Sequence, residues 1–331
     1  MKKVLITGGA GFIGFHLGKK LAQSGYQVDL LDNFSRGVRD PEIEDAINSR
    51  NLQLLNGDIL DSQFLNTLDK DYTYIYHLAA IVGVEHVLKR PFDVLTLNLR
   101  LLDNMIHLAE KQSQLEKFVF ASTSEVYAGT LKYFEMAIPT PEQTPLATLD
   151  LQSPRTSYML SKIYGEAMLN QSDLPIMIIR PHNIYGPRMG MAHVIPQQLN
   201  KINSAKEFSD VTVYTPEHQR TFCYISDAVN LIQLLTENSK STGEVFNIGN
   251  ESPEVKIKKV VEIVAETIGK KVHFVYKDMN SGSPARRCPS MHKAFSLVGY
   301  PDALVSLEQG IAQTYSWYKD KIFSGFQKSA S

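Results

Sequence analysis

The sequence is poor in cysteine, since Cys223 and Cys288 are the only two among 331 residues. They form no CxxC pair and show none of the Cys/His spacings that hold zinc, so the sequence predicts neither a disulfide framework nor a metal site. Two packed thiols in a reducing compartment are the simplest interpretation of the pair.

A surplus of charge and a long apolar run are missing as well. The formal net charge is -1, which predicts no basic surface for nucleic acid, so an anionic ligand has to be bound by local groups. No apolar run approaches the roughly 18 residues of a membrane span. A strand-like run from residue 3 or 4 leaves no room for a signal peptide. We therefore expect a cytoplasmic protein without a membrane or nucleic-acid partner.

What the sequence does have is a glycine-rich turn directly after an apolar run. Residues 4–14 read Val-Leu-Ile-Thr-Gly-Gly-Ala-Gly-Phe-Ile-Gly, which contains the pattern Gly9-x-Gly11-x-x-Gly14. Such a turn lets the backbone approach a pyrophosphate without a Cβ in the way and then places a helix N-terminus, which favours an anion, beside it. The pattern predicts a dinucleotide-binding turn.

An acidic residue follows this turn at a characteristic distance. Asp32 closes the second apolar run, about where a carboxylate is expected to bind the adenosine ribose hydroxyls. A carboxylate there repels a 2′-phosphate, so the sequence predicts NAD rather than NADP. Arg36 leaves NADP open as an alternative, because a guanidinium could bind that phosphate.

Strand-like runs alternate with longer helical patterns over the first 180 residues. Several runs, such as 118–120 and 176–179, are almost continuously apolar, as expected for parallel strands with both faces covered. The alternation predicts right-handed βαβ units and an α/β fold with a Rossmann-type, doubly wound parallel sheet. Strands are expected at 3–6, 27–31, 52–55, 73–78, 117–122 and 175–180, and helices at 12–24, 61–69, 91–112 and 157–172.

The pattern changes to shorter elements after Pro181. We interpret residues 1–180 as an NAD-binding Rossmann domain and residues 181–331 as a smaller C-terminal α/β substrate-binding lobe. Strands and helices of the two parts can interleave. In the lobe we expect helices near 194–204, 226–237, 256–268 and 306–320, strands near 211–214 and 245–248, and a loop at 279–291.

A tyrosine and a lysine are the main candidates for chemistry. Tyr158 and Lys162 are four residues apart in a helical pattern, so they share one face of the helix. The tyrosine pKa, ordinarily about 10, must fall for the phenol to act as a base, and a nearby ammonium and an oxidised nicotinamide both lower it. The fifth predicted strand ends in Ser122-Thr123-Ser124-Glu125, whose hydroxyls and carboxylate emerge where the nicotinamide is expected.

Together these motifs resemble the extended short-chain dehydrogenases/reductases of the nucleotide-sugar epimerase/dehydratase family. The resemblance covers nearly the whole chain, and the active-site motifs are most similar to those of UDP-glucuronate decarboxylases and sugar-nucleotide 4,6-dehydratases. Beyond the glycine-rich turn, the segments that carry it are Asp58, His77-Leu78-Ala79-Ala80, the triad of Thr123, Tyr158 and Lys162, Arg180-Pro181-His182-Asn183, Arg220-Thr221-Phe222 and Pro284-Ala285-Arg286-Arg287.

The resemblance implies a bound NAD, a nucleotide-diphosphate sugar as substrate and no metal. Catalysis is expected from Thr123, Ser124, Glu125, Tyr158 and Lys162. Residues expected to bind the sugar nucleotide are Glu125, His182, Asn183, Arg188, Arg220 and Arg287, with a structural role as the alternative for His182. Residues expected around NAD are Gly8, Gly9, Gly11, Phe12, Ile13, Gly14, Asp32, Asn33, Asp58, Ile59, Leu78, Ala79, Ala80, Asn98, Ser122, Tyr158, Lys162 and Arg180.

By the same resemblance, Tyr158 and Thr123 bind the sugar C4 hydroxyl while hydride passes from C4 to NAD. The 4-keto sugar can then lose water, lose carbon dioxide or be reduced on its other face. Glu125 favours decarboxylation or 4,6-dehydration over 4-epimerisation, because a simple epimerase needs no further carboxylate beside the triad. The dTDP-glucose dehydratases carry an aspartate where this chain has Ser124.

Two other functions and an oligomeric state complete the expectations. The alternatives are a non-catalytic sensor of NAD(H), against which the intact triad argues, and a dehydrogenase that releases NADH. The resemblance also implies a homodimer built from the helices near 91–112 and 157–172. Leu95, Leu99, Leu102 and Ile106 recur at helical spacing, and they could form that interface or pack on the sheet.

Overall fold

A seven-stranded sheet forms the centre of the computed structural model, which describes residues 1–48, 51–278 and 284–324. The strands are β1 (Lys3–Thr7), β2 (Gln27–Asp32), β3 (Leu52–Asn56), β4 (Tyr74–His77), β5 (Lys117–Ala121), β6 (Ile176–Pro181), β7 (Ile184–Tyr185), β8 (Asp210–Tyr214), β9 (Gln219–Arg220), β10 (Cys223–Tyr224), β11 (Glu244–Ile248), β12 (Val255–Lys256), β13 (His273–Lys277) and β14 (Arg286–Arg287). The large sheet has the order β11-β6-β5-β4-β1-β2-β3, and every neighbouring pair is parallel. The predicted Rossmann-type sheet is confirmed.

Helices cover both faces of this sheet. They are α1 (Phe12–Gln23), α2 (Pro41–Ile47), α3 (Ser62–Leu65), α4 (Val84–Lys89), α5 (Pro91–Glu110), α6 (Ala128–Tyr133), α7 (Pro154–Asn170), α8 (Val194–Ser204), α9 (Ile225–Glu237), α10 (Ile257–Ile268), α11 (His292–Val298) and α12 (Leu307–Tyr318). Val4 and Ile6 pack with α1 and α9, whereas Leu5 packs with α5 and α7 on the other face. Successive residues of a strand point to opposite faces, which explains the continuously apolar runs.

Several elements differ from the sequence prediction. The strand expected near 245–248 is β11, which lies beside β6 in the large sheet, so that sheet takes strands from both predicted parts of the chain. Helix α7 begins at Pro154 rather than at residue 157, because proline suits the first turn of a helix. The predicted loop at 279–291 contains β14, while residues 279–283 and 325–331 lie outside the described residues.

Short strands beyond residue 181 bring two arginines together. In a three-stranded sheet of order β12-β9-β14, Arg220 of β9 is in register with Arg287 of β14. Strands β7 and β10 pair in a separate two-stranded sheet. Among the described residues, no helix is both long and apolar enough to cross a membrane.

Candidate active site

The glycine-rich turn lies at the end of β1 and leads into α1. Gly8 has a φ of +71°, and a Cβ at Gly14 would lie 2.3 Å from the Gly8 carbonyl oxygen, so both positions require glycine. Helix α1 starts directly after Gly11, and no side chain caps it. Its first backbone N–H groups, including those of Phe12 and Ile13, are therefore suited to bind a pyrophosphate.

Asp32 lies at the end of β2 beside this turn. Its carboxylate accepts hydrogen bonds from the backbone N–H groups of Ala10 at 3.0 Å and Phe34 at 2.8 Å. Burial raises its pKa from the ordinary value. A carboxylate has about four lone-pair sites, so acceptor capacity remains for ribose hydroxyls. Asn33 donates to Asp58 at 3.3 Å, which joins the ends of β2 and β3, and Ile59 is buried behind them.

The opposite wall of the cleft is the loop after β4. Leu78, Ala79 and Ala80 are half-buried there. Asn98 of α5 holds this loop in place, since its side chain accepts from the Ile81 N–H at 2.7 Å and donates to the Ile81 carbonyl at 3.1 Å. A glycine cradle, an uncapped helix start and a carboxylate at the next strand end fit NAD. The residues that would hold it are those of the turn, Asp32 and this wall.

Glu125 lies on a helical turn rather than on the strand edge that we expected. After β5 the chain forms a short 3₁₀ helix, Ser124–Tyr127. The Thr123 hydroxyl accepts from the Glu125 N–H at 3.2 Å and caps this helix. A local side-chain bond of this kind competes with continuation of the strand, which is the physical reason for the difference. The turn directs Glu125 toward β14, while Ser124 is buried.

Tyr158 and Lys162 lie on one face of α7, and Thr123 is close enough to Tyr158 to oppose the rise of its pKa. Lys162 donates to the Ala121 carbonyl at 2.7 Å, and its Nζ is 5.9 Å from the centre of the Tyr158 ring. Burial and the negative charge of Glu125 raise the pKa of Tyr158 to about 12, while burial lowers the pKa of Lys162 to about 7. In the protein alone, burial and Glu125 outweigh the groups that lower this pKa, and the lowering that we expect from Lys162 together with an oxidised nicotinamide stays a prediction for the NAD-bound enzyme.

Glu125 forms an ion pair with Arg287, which lies on the other part of the chain. The Arg287 Nη1 and the Glu125 Oε1 are 2.6 Å apart. This guanidinium lowers the pKa of Glu125, and Arg155 and Arg220 lower it further. Burial and the charge of Arg287 lower the pKa of Arg220 to about 10. The tyrosine, the carboxylate and three arginines therefore form one positively charged site.

Most of the chain that carries this site, all but Arg287, matches a known family. Residues 4–249 match the model of the NAD dependent epimerase/dehydratase family. The chain belongs to this family. Its members are NAD-dependent enzymes, and the predicted cofactor and enzyme class are thereby confirmed. Within the described residues, no cluster of His, Cys, Asp and Glu side chains could hold a metal ion.

Relatives in this family cover the chain almost completely. A UDP-N-acetyl-alpha-D-glucosaminuronate decarboxylase of Bacillus cytotoxicus is 33% identical over 96% of this chain and 98% of its own length. UDP-glucuronic acid decarboxylase 1 of Xenopus tropicalis is 30% identical over 97% of this chain and 73% of its own. The structure of an epimerase of Methanothermobacter thermautotrophicus has a TM-score of 0.83 at 25% identity, covering 99% and 95% of the two chains. The relatives also include 4,6-dehydratases and putative 4-epimerases.

In this epimerase/dehydratase, Ser122 and Arg180 lie in a buried network below the site. Arg180 donates to both carboxylate oxygens of Glu166, at 2.9 and 2.6 Å, and to the hydroxyl of Tyr127 at 2.6 Å. Ser122 donates to the same Glu166 at 2.5 Å. These donors bind protein groups, and the contacts of Ser122 and Arg180 with the cofactor stay a prediction. The sequence signal for Glu166 is its position four residues after Lys162, which places both side chains on one face of α7.

His182 and Asn183 also have partners inside the protein. His182 is buried, and its Nε2 lies 3.0 Å from the Oδ1 of Asn247. Burial lowers the pKa of His182 to about 3, so the ring is neutral, as the structural alternative predicts. Asn183, with a φ of +42°, donates to the Thr221 carbonyl at 3.0 Å. Direct substrate binding by these two side chains stays a prediction.

The other two predicted substrate-binding arginines lie in different places. Arg220 donates to the backbone carbonyls of Pro284 at 2.6 Å and Ala285 at 3.0 Å, close to Arg287. Arg188 instead lies on the cofactor side, where it forms an ion pair with Asp40. Arg220 therefore lies at the substrate side, where it is predicted, whereas Arg188 lies on the cofactor side.

Proposed function

We propose that this enzyme is an NAD-dependent decarboxylase of a UDP-linked hexuronic acid. The observation that carries the proposal is the Glu125–Arg287 ion pair beside Thr123 and Tyr158. The decarboxylases of Bacillus cytotoxicus and Xenopus tropicalis, at 33% and 30% identity, support this reaction over the other chemistries of the family.

The ion pair distinguishes decarboxylation from dehydration. Loss of water from a 4-keto sugar requires a base that removes the C5 proton and an acid that protonates the leaving hydroxyl. Arg287 lowers the pKa of Glu125, which makes this carboxylate a weaker base. Ser124 stands where the dTDP-glucose dehydratases carry an aspartate, so it offers no carboxylic acid. A 4-keto uronic acid loses carbon dioxide without either group.

The arginines suit an additional carboxylate on the substrate. Arg287 has N–H donors beyond the one on Glu125, and a guanidinium binds a carboxylate bidentately. Arg220, in register with it, supplies further positive charge for the diphosphate or the uronate. A neutral hexose would leave part of this charge uncompensated.

Thr123 and Tyr158 act at the C4 oxygen, and Lys162 holds the nicotinamide ribose. Bound NAD supplies the hydride acceptor and a positively charged ring. Tyr158 takes the proton of the C4 hydroxyl, and Thr123 donates to the same oxygen. When the C5–C6 bond breaks, carbon dioxide leaves and the electron pair passes to the C4 oxygen as an enolate. The protonated Tyr158, whose pKa is raised to about 12, is then a hydrogen-bond donor to that enolate. The enolate takes up a proton at C5, and return of the hydride to C4, with a proton to the C4 oxygen, would restore the hydroxyl and leave no net NADH.

Mass spectrometry of the products from a panel of nucleotide sugars tests this function. We expect loss of carbon dioxide from UDP-glucuronate or UDP-N-acetylglucosaminuronate, with no net production of NADH. Loss of water from a UDP- or dTDP-hexose would identify a dehydratase, and an isomer of unchanged mass a 4-epimerase. Stoichiometric release of NADH would identify a simple dehydrogenase.

We also propose a homodimer through α5 and α7, which pack against each other in one chain. Leu102 and Ile106 are buried in the chain's own core, so they are not available to a partner. Leu95 and Leu99 are half-exposed, and Phe92 and Tyr164 are 75% and 59% exposed. Light scattering should give twice the chain mass, and a monomer at micromolar concentration would contradict this interface.

Two further expectations are kept as proposals. We propose that residues 1–180 mainly bind NAD and that residues 181–331 mainly bind the sugar nucleotide, with β11 shared between them. We also propose a cytoplasmic location. Support comes from Cys223 and Cys288, which are both buried and unpaired, as is usual in a reducing compartment.

A further inference from the structure

Arg188 connects the C-terminal part of the chain with the cofactor side of the site through buried contacts. Its side chain is 4% exposed and pairs with Asp40, while the Oε2 of Glu42 lies 3.7 Å away. It also donates to the Val38 carbonyl at 3.3 Å, and its guanidinium lies 4.2 Å from the centre of the Phe15 ring. These contacts connect the turn after β7 to the segment that follows β2.

That segment, residues 33–40, folds back over the glycine-rich turn. The Phe34 N–H donates to Asp32 at 2.8 Å, which reverses the chain directly after β2. Gly37 packs so closely that a Cβ there would lie 2.8 Å from both the Ala10 Cβ and the Asp32 Oδ1. The segment therefore covers the residues that are suited to hold the ribose and the pyrophosphate.

A second arginine connects the same segment to the opposite wall of the cleft. Arg36 is exposed and donates to the Val82 carbonyl at 2.7 Å, in the loop that follows β4. Strand β1 lies between β2 and β4 in the sheet. A side chain that joins the loops after β2 and β4 must therefore pass over the end of β1, where the glycine-rich turn begins.

We propose that residues 33–40 form a strap across the cofactor cleft and that the Arg188–Asp40 pair clamps its far end and slows NAD release. The Arg36 bond is exposed and single, so it breaks easily. The Arg188–Asp40 pair is largely buried, and breaking it removes the nearest counter-charge of a desolvated group, for which Glu42, 3.7 Å from Arg188, is a more distant partner. With the clamp closed, the strap can open only at its Arg36 end. The proposal needs only that the chain binds NAD, so it is independent of the sugar reaction.

The test measures the rate at which NAD leaves the loaded enzyme, by displacement with an excess of isotopically labelled NAD. Arg188→Met keeps an apolar side chain against Phe15 and removes the charge. Asp40→Asn removes the partner charge, yet its side-chain oxygen can still accept from the Ile43 N–H and cap α2. Each variant should raise the dissociation rate at least about tenfold. The double variant should release NAD no faster than the faster single one, because both remove the same pair.

Arg39→Met is the matched control, since Arg39 is a neighbour in sequence that pairs with Glu44 instead. It should leave the rate within about twofold of wild type. Fluorescence of Trp317, the only tryptophan, checks the fold, because its Nε1 donates to Glu42 of α2 at 2.9 Å. If Arg188→Met does not fold, the NAD dissociation rate of Asp40→Asn alone tests the proposal. Unchanged NAD release from the folded clamp variants, or an equal increase in Arg39→Met, would overturn the proposal.

Discussion

Glu125 and Arg287 are 162 positions apart in the chain, and their side chains are 2.6 Å apart in the structure. The pair joins the end of β5 to β14 across the substrate side of the cleft. It keeps the carboxylate ionised, and the charge of this carboxylate also raises the pKa of Tyr158. The proposed decarboxylation depends on this relationship, and two variants examine its two partners separately.

Arg287→Met should weaken binding of a UDP-hexuronic acid by about 1.5–3 kcal/mol, the range for a hydrogen bond to a charged group. The loss should appear in KM and in a direct binding isotherm. Arg286→Met is the matched control, because the neighbouring Arg286 pairs with Glu254 and is half-exposed. Equal losses in the two variants would indicate a general charge effect and contradict a specific role of Arg287.

Glu125→Gln should slow decarboxylation by no more than about tenfold, because a β-keto acid loses carbon dioxide without a base; general-base catalysis would be worth about 10²–10⁴. The substitution should act on substrate binding and on reprotonation at C5, which uptake of solvent deuterium reports. A dehydratase would behave differently, since its variant would oxidise C4 and stop there with enzyme-bound NADH. Complete loss of carbon dioxide release would make Glu125 essential and exclude the role assigned to it.

Tyr158→Phe should lower turnover by at least about 10²–10⁴-fold, the usual contribution of general acid–base catalysis. Only the hydroxyl is removed, so the ring should still fill its site and NAD should remain bound. Turnover assays and the NAD content of the purified variant measure the two effects. A variant that keeps about half of the wild-type rate would refute the assignment of Tyr158 as the base.

Asp32→Ala should weaken NAD binding by about 1–3 kcal/mol, because it removes the acceptor of charge-assisted hydrogen bonds. Calorimetry on NAD-free protein with NAD and with NADP provides the measurement. Wild type should prefer NAD, and the variant should lose most of that preference, since the carboxylate no longer repels a 2′-phosphate. A wild-type preference for NADP would show that the role of Asp32 is wrong.

His182 should make stability depend on pH. Its pKa is about 3 in the folded protein and 6.5 ordinarily. Below the ordinary value the unfolded chain binds a proton that folded His182 does not, so stability falls as the pH falls from 6.5 toward 3, by about 1.4 kcal/mol per pH unit. Urea unfolding of His182→Phe should show a correspondingly shallower decline. The exposed His107 of α5 is the control position, and an equal effect of His107→Gln would exclude the explanation.

Local sequence patterns determined the cofactor half of the site. Each of these patterns involves residues that are near neighbours in the structure. The glycine-rich turn and Asp32 lie at adjacent strand ends, and Tyr158 and Lys162 are one helical turn apart. Alternating side-chain direction along a strand makes a doubly covered sheet visible as continuous apolar runs. These features depend on short stretches of backbone, so they could be predicted from the residues alone.

Tertiary structure decided the substrate half. The 3₁₀ turn that directs Glu125 arises from a cap by Thr123, and its partner Arg287 comes from a distant strand. Arg188 lies on Asp40 rather than on the substrate side, and Arg180 lies on Glu166. Burial raises the pKa of Tyr158 in the protein alone. Each of these outcomes depends on which distant segments come into contact and on how much water they exclude. A local pattern of residues contains no information about these long-range contacts or about the burial that they cause.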